Sequence, residues 1–279
     1  MKGLIFGTGG TPLSTTEPHK TGAIKRVREL GLGALELEWV QGSPPMSNVK
    51  SLTDALDESN KEPKVILSAH GSYYINLAGE KDVIEKSRER IYKACWCLGK
   101  AGGRNVVFHP AFYQLLSPEE THRLVVESLR IILDQLESEK ITNVILRPET
   151  TGKGTQYGSL EEILRLSKEL PNTRPTIDFA HLHARSGGKF NSYDEFCQVL
   201  ETTHKTLGDD GLQDLHVHMS GIEYTAKGER KHLPLEESDI KWRELFKAFK
   251  AFDCSGTIIC ESPILEQDAL RMQEYYRSL

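Results

Sequence analysis

The stretch Asn143-Val144-Ile145-Leu146-Arg147-Pro148-Glu149 reads as a buried β-strand that ends in a charged side chain. Alternation puts Ile145, Arg147 and Glu149 on one face, with Glu149 at the rim. A glycine-bearing loop, Gly152-Lys153-Gly154-Thr155, follows, and then a helix predicted over 160–170. The same unit recurs along the whole chain. Strands are predicted over 4–7, 34–39, 65–70, 105–110, 143–149, 175–181, 212–219 and 257–262. Helices are predicted over 20–30, 47–57, 82–100, 118–137, 160–170, 192–207, 240–252 and 266–277. Ser117-Pro118-Glu119-Glu120 carries an N-cap serine, proline at the first helical position and carboxylates in the first turn. Strict alternation demands parallel strands with crossover helices. Eight such units in 279 residues predict a single-domain (β/α)₈ TIM barrel spanning residues 1–279. A doubly wound sheet is the rival, but it rarely needs eight equal units.

Six of the strands end in a metal-ligand type of side chain: His70, His109, Glu149, Asp178 with His181, His216 with His218, and Glu261. In this fold, active sites gather at the carboxyl ends of the strands. The loops 41–46 and 221–234 fall on the same face.

The composition, 38% apolar and 27% charged, fits a soluble globular protein. No apolar run approaches the roughly 18–20 residues of a membrane span, and no signal peptide pattern opens the chain. The expectation is a cytoplasmic monomer that needs no membrane. The five cysteines, an odd number with no C-x2-C pair, suit reduced, buried thiols. A net charge of −5 lacks the basic footprint of a nucleic-acid binder. Bound divalent ions would supply positive charge where a phosphate would sit.

A lone rim glutamate is more often a solvated or salt-bridged group. Glu149, however, is joined by Asp178, His216 and Glu261 from three later strands, a hard, oxygen-rich set for Zn²⁺, Mn²⁺ or Mg²⁺. His70 and His109 on the two preceding strands complete a second set with Glu149, and two imidazoles with a carboxylate suit zinc. A shared carboxylate would hold two ions roughly 3.5–4 Å apart, the spacing used for phosphoryl chemistry. His181 reaches the mouth from the end of its strand. His218 shares a face with His216 and reads either as a ligand or as an interior residue. The charged loop Gly228-Glu229-Arg230-Lys231-His232 reads as a solvated face or as a source of ligands and phosphate contacts. Glu36 and Glu38 should point into the barrel, where an ion pair with Arg147 is expected. The loop at 152–155 lacks P-loop spacing and reads as a turn that approaches substrate closely.

Together, HGSYYINLAG around His70, FHPA around His109, PETTGKGTQYGS around Glu149, DFAH at Asp178 and His181, the His216 strand, and CESP at Glu261 resemble the endonuclease IV family of apurinic/apyrimidinic endonucleases. The resemblance runs from about residue 65 to the end and implies a barrel with zinc ions. His70, His109 and Glu149 would bind the first. Glu149, Asp178, His216 and Glu261 would bind the second. His181 would bind a third with two ligands from the loop after strand seven. The implied reaction is hydrolysis of double-stranded DNA on the 5′ side of an abasic site by a metal-bridging hydroxide. The resemblance implies Glu149 and Glu261 as the catalytic carboxylates. Tyr73 falls at a DNA-contacting position, and Lys153, Lys227, Arg230 and Lys231 are candidate backbone contacts.

The chain departs from the family in three places. The family's Asp-x-His after strand seven reads Glu229-Arg230-Lys231 here. A protonated lysine cannot ligate zinc; His232, one residue on, substitutes if the loop shifts. The first-strand Gly-Ala-His-Val-Ser motif is absent. The arginine-bearing loop after strand two is replaced by Val40–Pro45. The rival reading is a sugar isomerase or epimerase of the xylose-isomerase-like barrels, which use a similar Glu/Asp/His/Glu quartet. A one-metal isomerase has no need of His70 and His109 beside Glu149.

Overall fold

Eight parallel strands curl into a barrel in the computed structural model, which describes residues 3–17, 19–42 and 46–279. They are β1 (Leu4–Gly9), β2 (Ala34–Glu38), β3 (Ile66–His70), β4 (Asn105–Phe108), β5 (Ile145–Pro148), β6 (Ile177–Asp178), β7 (Leu215–Met219) and β8 (Gly256–Cys260). Neighbours follow the order β5-β4-β3-β2-β1-β8-β7-β6. The ring closes where the chain entering β6 runs beside β5. Bridges join Leu146 to Thr173 and Glu149 to Thr176, and the Thr176 amide donates to the Pro148 carbonyl at 2.9 Å.

Ten helices cover the barrel among the described residues. The predicted cap at Ser117 is present as a full capping box with Glu120, and Ser159 forms another with Glu162. Such caps are worth about 1 kcal/mol each. The apolar core lies between sheet and helices, with Leu35, Leu37, Val106, Leu146 and Val217 facing Ile24, Ile91, Leu129, Ile163 and Phe196.

The barrel interior is polar in layers. At the amino end, buried Arg147 reaches Asp214 at 3.0 Å, Asn105 Oδ1 at 3.1 Å and the carbonyls of Pro175 and Asp214. Above it lie Glu36, Ser68, His216 and Thr257, all buried. The expected pairing of Glu36 with Arg147 does not form. The two belong to different layers, and Glu36 is taken by imidazoles. Glu38 has no bond to Arg147 either; it lines the open mouth.

Two elements at the mouth differ from the sequence reading. The strand predicted over 175–181 stops at Asp178. Its Oδ1 accepts the His181 backbone N–H at 2.6 Å and so caps a helix, Phe179–Arg185. The loop after β7 is a hairpin, Gly221–Thr225 with Gly228–Leu233. Part of the replaced loop after β2, residues 43–45, lies outside the described residues. Among the described residues no helix is long and apolar enough to cross a membrane.

Candidate metal centre

Glu149 sits at the centre of the mouth and is fully buried. Its Oε2 faces two imidazoles, His70 Nε2 at 3.2 Å and His109 Nε2 at 3.0 Å. Its Oε1 faces another, His218 Nδ1 at 3.0 Å, with His181 Nδ1 at 3.4 Å. One carboxylate thus offers an oxygen to each of two donor groups. The ligand atoms of His70, His109 and Glu149 lie within 4.8 Å of one another, as do those of Glu149, Asp178, His218 and Glu261.

The β7 residue at this mouth is His218, not His216 as the sequence reading had it. The two share a face, but His218 lies one full alternation nearer the carboxyl end. His216 is in the layer below, with Nε2 2.8 Å from Glu36 Oε2. The position of the strand's end, at Met219, was the available signal.

A third group forms on the hairpin side, where Asp178, His181 and His232 bring their ligand atoms within 4.8 Å. Glu229 joins them, with Oε2 3.5 Å from His181 Nε2 and Oε1 3.9 Å from His232 Nε2. The extra residue between Glu229 and His232 is absorbed by a bulge. Tyr224 pairs with Glu229 and Glu223 with Lys231, so Arg230 has no partner across the ladder. Glu229 and His232 therefore share the face toward the mouth, and Lys231 points away. Gly152 makes room for this arrangement, because a Cβ there would meet Glu229 Cβ at 2.6 Å and His181 Cδ2 at 3.1 Å. The loop at 152–155 thus packs on the hairpin, and the Arg185 guanidinium holds it through Thr151 Oγ1 and the carbonyls of Lys153 and Gln156.

The far nitrogens of the rings are fixed as well. His70, His181 and His232 donate Nδ1–H to the carbonyls of Gly71, Thr150 and Glu261 at 2.9, 2.9 and 3.1 Å, which turns Nε2 toward the mouth. Electrostatics bind the cluster together. Burial alone would raise the Glu149 carboxyl, but His218 and His109 outweigh it and hold it well below the usual range. Burial would lower His70, yet Glu149 lifts it to about 10. Glu261, also opposed by burial, is held at about 2 chiefly by His218. Burial pushes Asp178 up to about 6 against the pull of His181. Asp178 Oδ2 is buried and accepts no hydrogen bond from a described residue. An orphaned carboxylate oxygen beside converging imidazoles is a donor set that fits a divalent cation, which would displace the ring protons.

The mouth opens as a cleft of about 350 Å³ lined by His70, His109, His181, Glu229, His232 and Glu261, with Glu38, Tyr73 and Lys153 on its walls. Tyr73 is 58% exposed and stands edge-on to His70, ring centroids 5.8 Å apart. Arg230 and Lys231 are outside the cleft, both paired with Glu223, at 2.5 and 3.3 Å. Lys227 is exposed at the hairpin turn.

An eight-stranded barrel with imidazoles and carboxylates converging at its carboxyl-end mouth defines a class of metal-site barrels. The chain belongs to the xylose isomerase-like TIM barrel family, whose model matches residues 24–279. It is 45% identical over 277 residues to an uncharacterized protein of Methanocaldococcus jannaschii, covering 99% of this chain and 98% of that one. It is 28% identical over 219 residues to a probable endonuclease 4 of Petrotoga mobilis, covering 77% and 75%. Solved structures with this fold include endonuclease IV from Thermus thermophilus, at TM-score 0.70, 20% identity and full coverage of both chains. A D-tagatose 3-epimerase-like protein matches at 0.69 and 20%, covering 100% and 96%. The IolI protein with a binding zinc atom matches at 0.68 and 14%, covering 99% and 96%.

Proposed function

We propose that this chain is a zinc-dependent DNA repair endonuclease that hydrolyses the phosphodiester bond on the 5′ side of abasic sites. The observation that carries the reading is the split of Glu149 between two donor groups, Oε2 toward His70 and His109, Oε1 toward His218. A single-ion isomerase uses the quartet on the later strands and has no work for the first pair. The probable endonuclease 4 among the relatives supports the same reading.

His70, His109 and Glu149 would hold one ion, and Glu149, Asp178, His218 and Glu261 a second. Asp178, His181, Glu229 and His232 would serve a third. The imidazole-rich groups suit zinc, with manganese or magnesium as weaker fits to the carboxylate-rich one. Bound ions supply an activated water at neutral pH and positive charge for a phosphate. The protein's own residues do the rest. Carbonyls of Gly71, Thr150 and Glu261 lock the rings, Glu149 ties the two groups to one position, and Tyr73 and Lys153 on the cleft wall contact the sugar and backbone of the damaged strand. Five cysteines, an odd number with no C-x2-C pair, suit a reducing, cytoplasmic setting.

A second reading, a sugar epimerase, draws on one feature. The cleft wall carries the carboxylate of Glu38 and one lysine, while Arg230 and Lys231 lie outside it and share the single carboxylate of Glu223. That lining suits a neutral polyol better than a polyanion. Two assays on the metal-loaded protein decide: nicking of a duplex with one abasic site, and turnover of free ketoses. Cleavage on the 5′ side without ketose turnover is expected. Ketose turnover without nicking would overturn the nuclease reading.

A further inference from the structure

Inside the barrel, directly below the mouth, Glu36 is a carboxylate with no exposure at all. Its Oε2 accepts from Ser68 Oγ at 2.6 Å and from His216 Nε2 at 2.8 Å. Its Oε1 lies 2.9 Å from His218 Nε2. His216 Nδ1 is in turn 2.7 Å from Thr257 Oγ1. With Nε2–H given to Glu36, that Nδ1 is an acceptor for the Thr257 hydroxyl. Hydrogen bonds therefore join Thr257, His216 and Glu36, and Glu36 Oε1 then meets His218 Nε2 as a close charge contact without hydrogen-bond alignment. The far nitrogen of that ring, Nδ1, faces Glu149 and Glu261 at 3.0 and 3.2 Å.

His218 differs in this from the other mouth histidines. His70, His181 and His232 are oriented by backbone carbonyls and present Nε2. His218 is turned the other way and backed by a buried carboxylate. A carboxylate behind a ligating imidazole fixes its tautomer and ring plane and makes it a stronger donor than a carbonyl can. Burying a carboxylate without a return is costly. Ser68, His216 and Thr257 spend three further buried side chains on holding this one in place.

We propose that Glu36 is a positioning residue for the metal centre, and that the Thr257–His216–Glu36 chain sets the donor strength of His218 and hence retention of the ion it shares with Asp178 and Glu261. The proposal rests on the metal reading of the mouth and is independent of the substrate. It also gives His216 its role, two removes from the ion, behind Glu36.

The test is zinc content and the rate of zinc release to a chelator, for wild type and Glu36→Gln, with the cobalt(II)-substituted absorption spectrum of each. Glu36→Gln keeps the shape and removes the charge. Release of one ion should quicken by roughly 10–100-fold, the cobalt bands should shift, and Glu36→Asp should restore part of the loss. Ser68→Ala, which loosens Glu36 without altering a charge, should move release the same way by less, and it decides the matter if Glu36→Gln does not fold. A folded Glu36→Gln with wild-type ion count, release rate and cobalt spectrum would overturn the proposal, even if its melting temperature fell. A wild type that binds no zinc would instead remove the metal reading itself.

Discussion

Glu149 carries the arrangement at the residue scale, because each of its oxygens serves a different donor group. Removal of His109 should therefore empty one group and leave the other. His109→Ala is expected to lower the zinc count by one and cut nicking by on the order of 10²-fold or more, whereas an unchanged ion count would remove His109 from the centre. Glu261→Gln should abolish turnover, since it touches the other group. Gly152 is the residue whose role is steric. Gly152→Ala sets a Cβ against Glu229 and His181, so it should cost about 1–3 kcal/mol and free the third ion first, read by denaturant melts and zinc titration together. The quartet's carboxylates were legible in the sequence because each is a charged residue closing a largely apolar run. The choice between His216 and His218 was not, because both lie on one face. What separates them is about 6.6 Å of rise along β7; the predicted end at 219 favoured His218, but which layer each ring joins depends on Glu36 and Glu149 from distant strands. Glu36 was legible as an inward residue. Its partners were not, since His216 and His218 are 180 or more positions away.

At the scale of elements, the hairpin after β7 explains how an off-register loop still serves the mouth. The bulge at Arg230 restores the alternation that brings His232 to the same side as Glu229. Deleting Arg230 removes the unpaired residue and leaves a regular ladder with the same facing. The deletion should fold, lose only its exposed ion pair with Glu223, worth about 0–1 kcal/mol, and keep the third ion. Loss of that ion on deletion, measured by titration, would show that His232 reaches the mouth by some other route. This bulge could not be read from one sequence, because a bulge depends on the partner strand's register. The same holds for the DFAH segment. Its carboxylate turned out to be a helix cap, and the turn of helix it starts is what carries His181 inward.

Across the whole molecule, the barrel divides its labour between its two ends. The amino end is closed by Arg147 and its partners, and the carboxyl end gathers charges that a cation would join. Arg147→Ala leaves Asp214 paired with Arg104 and Arg174 but opens a cavity in the barrel, so it should destabilise by about 2–5 kcal/mol, seen in denaturant melts, and leave zinc content unchanged. Ions should stabilise the fold by mass action, about 2.7 kcal/mol at a hundredfold excess over Kd, so chelation should lower the melting temperature and added zinc restore it. The eightfold alternation made the barrel readable from sequence alone, and with it the face on which the ligands meet. The central claim is that one mouth holds more than one ion around a shared Glu149. The most direct measurement is metal content together with anomalous scattering from crystals of the zinc-loaded protein. Two or three zinc positions, with one Glu149 oxygen on each of two, are predicted. A single ion held by Asp178, His218, Glu149 and Glu261, with His70 and His109 left without metal, would contradict the account.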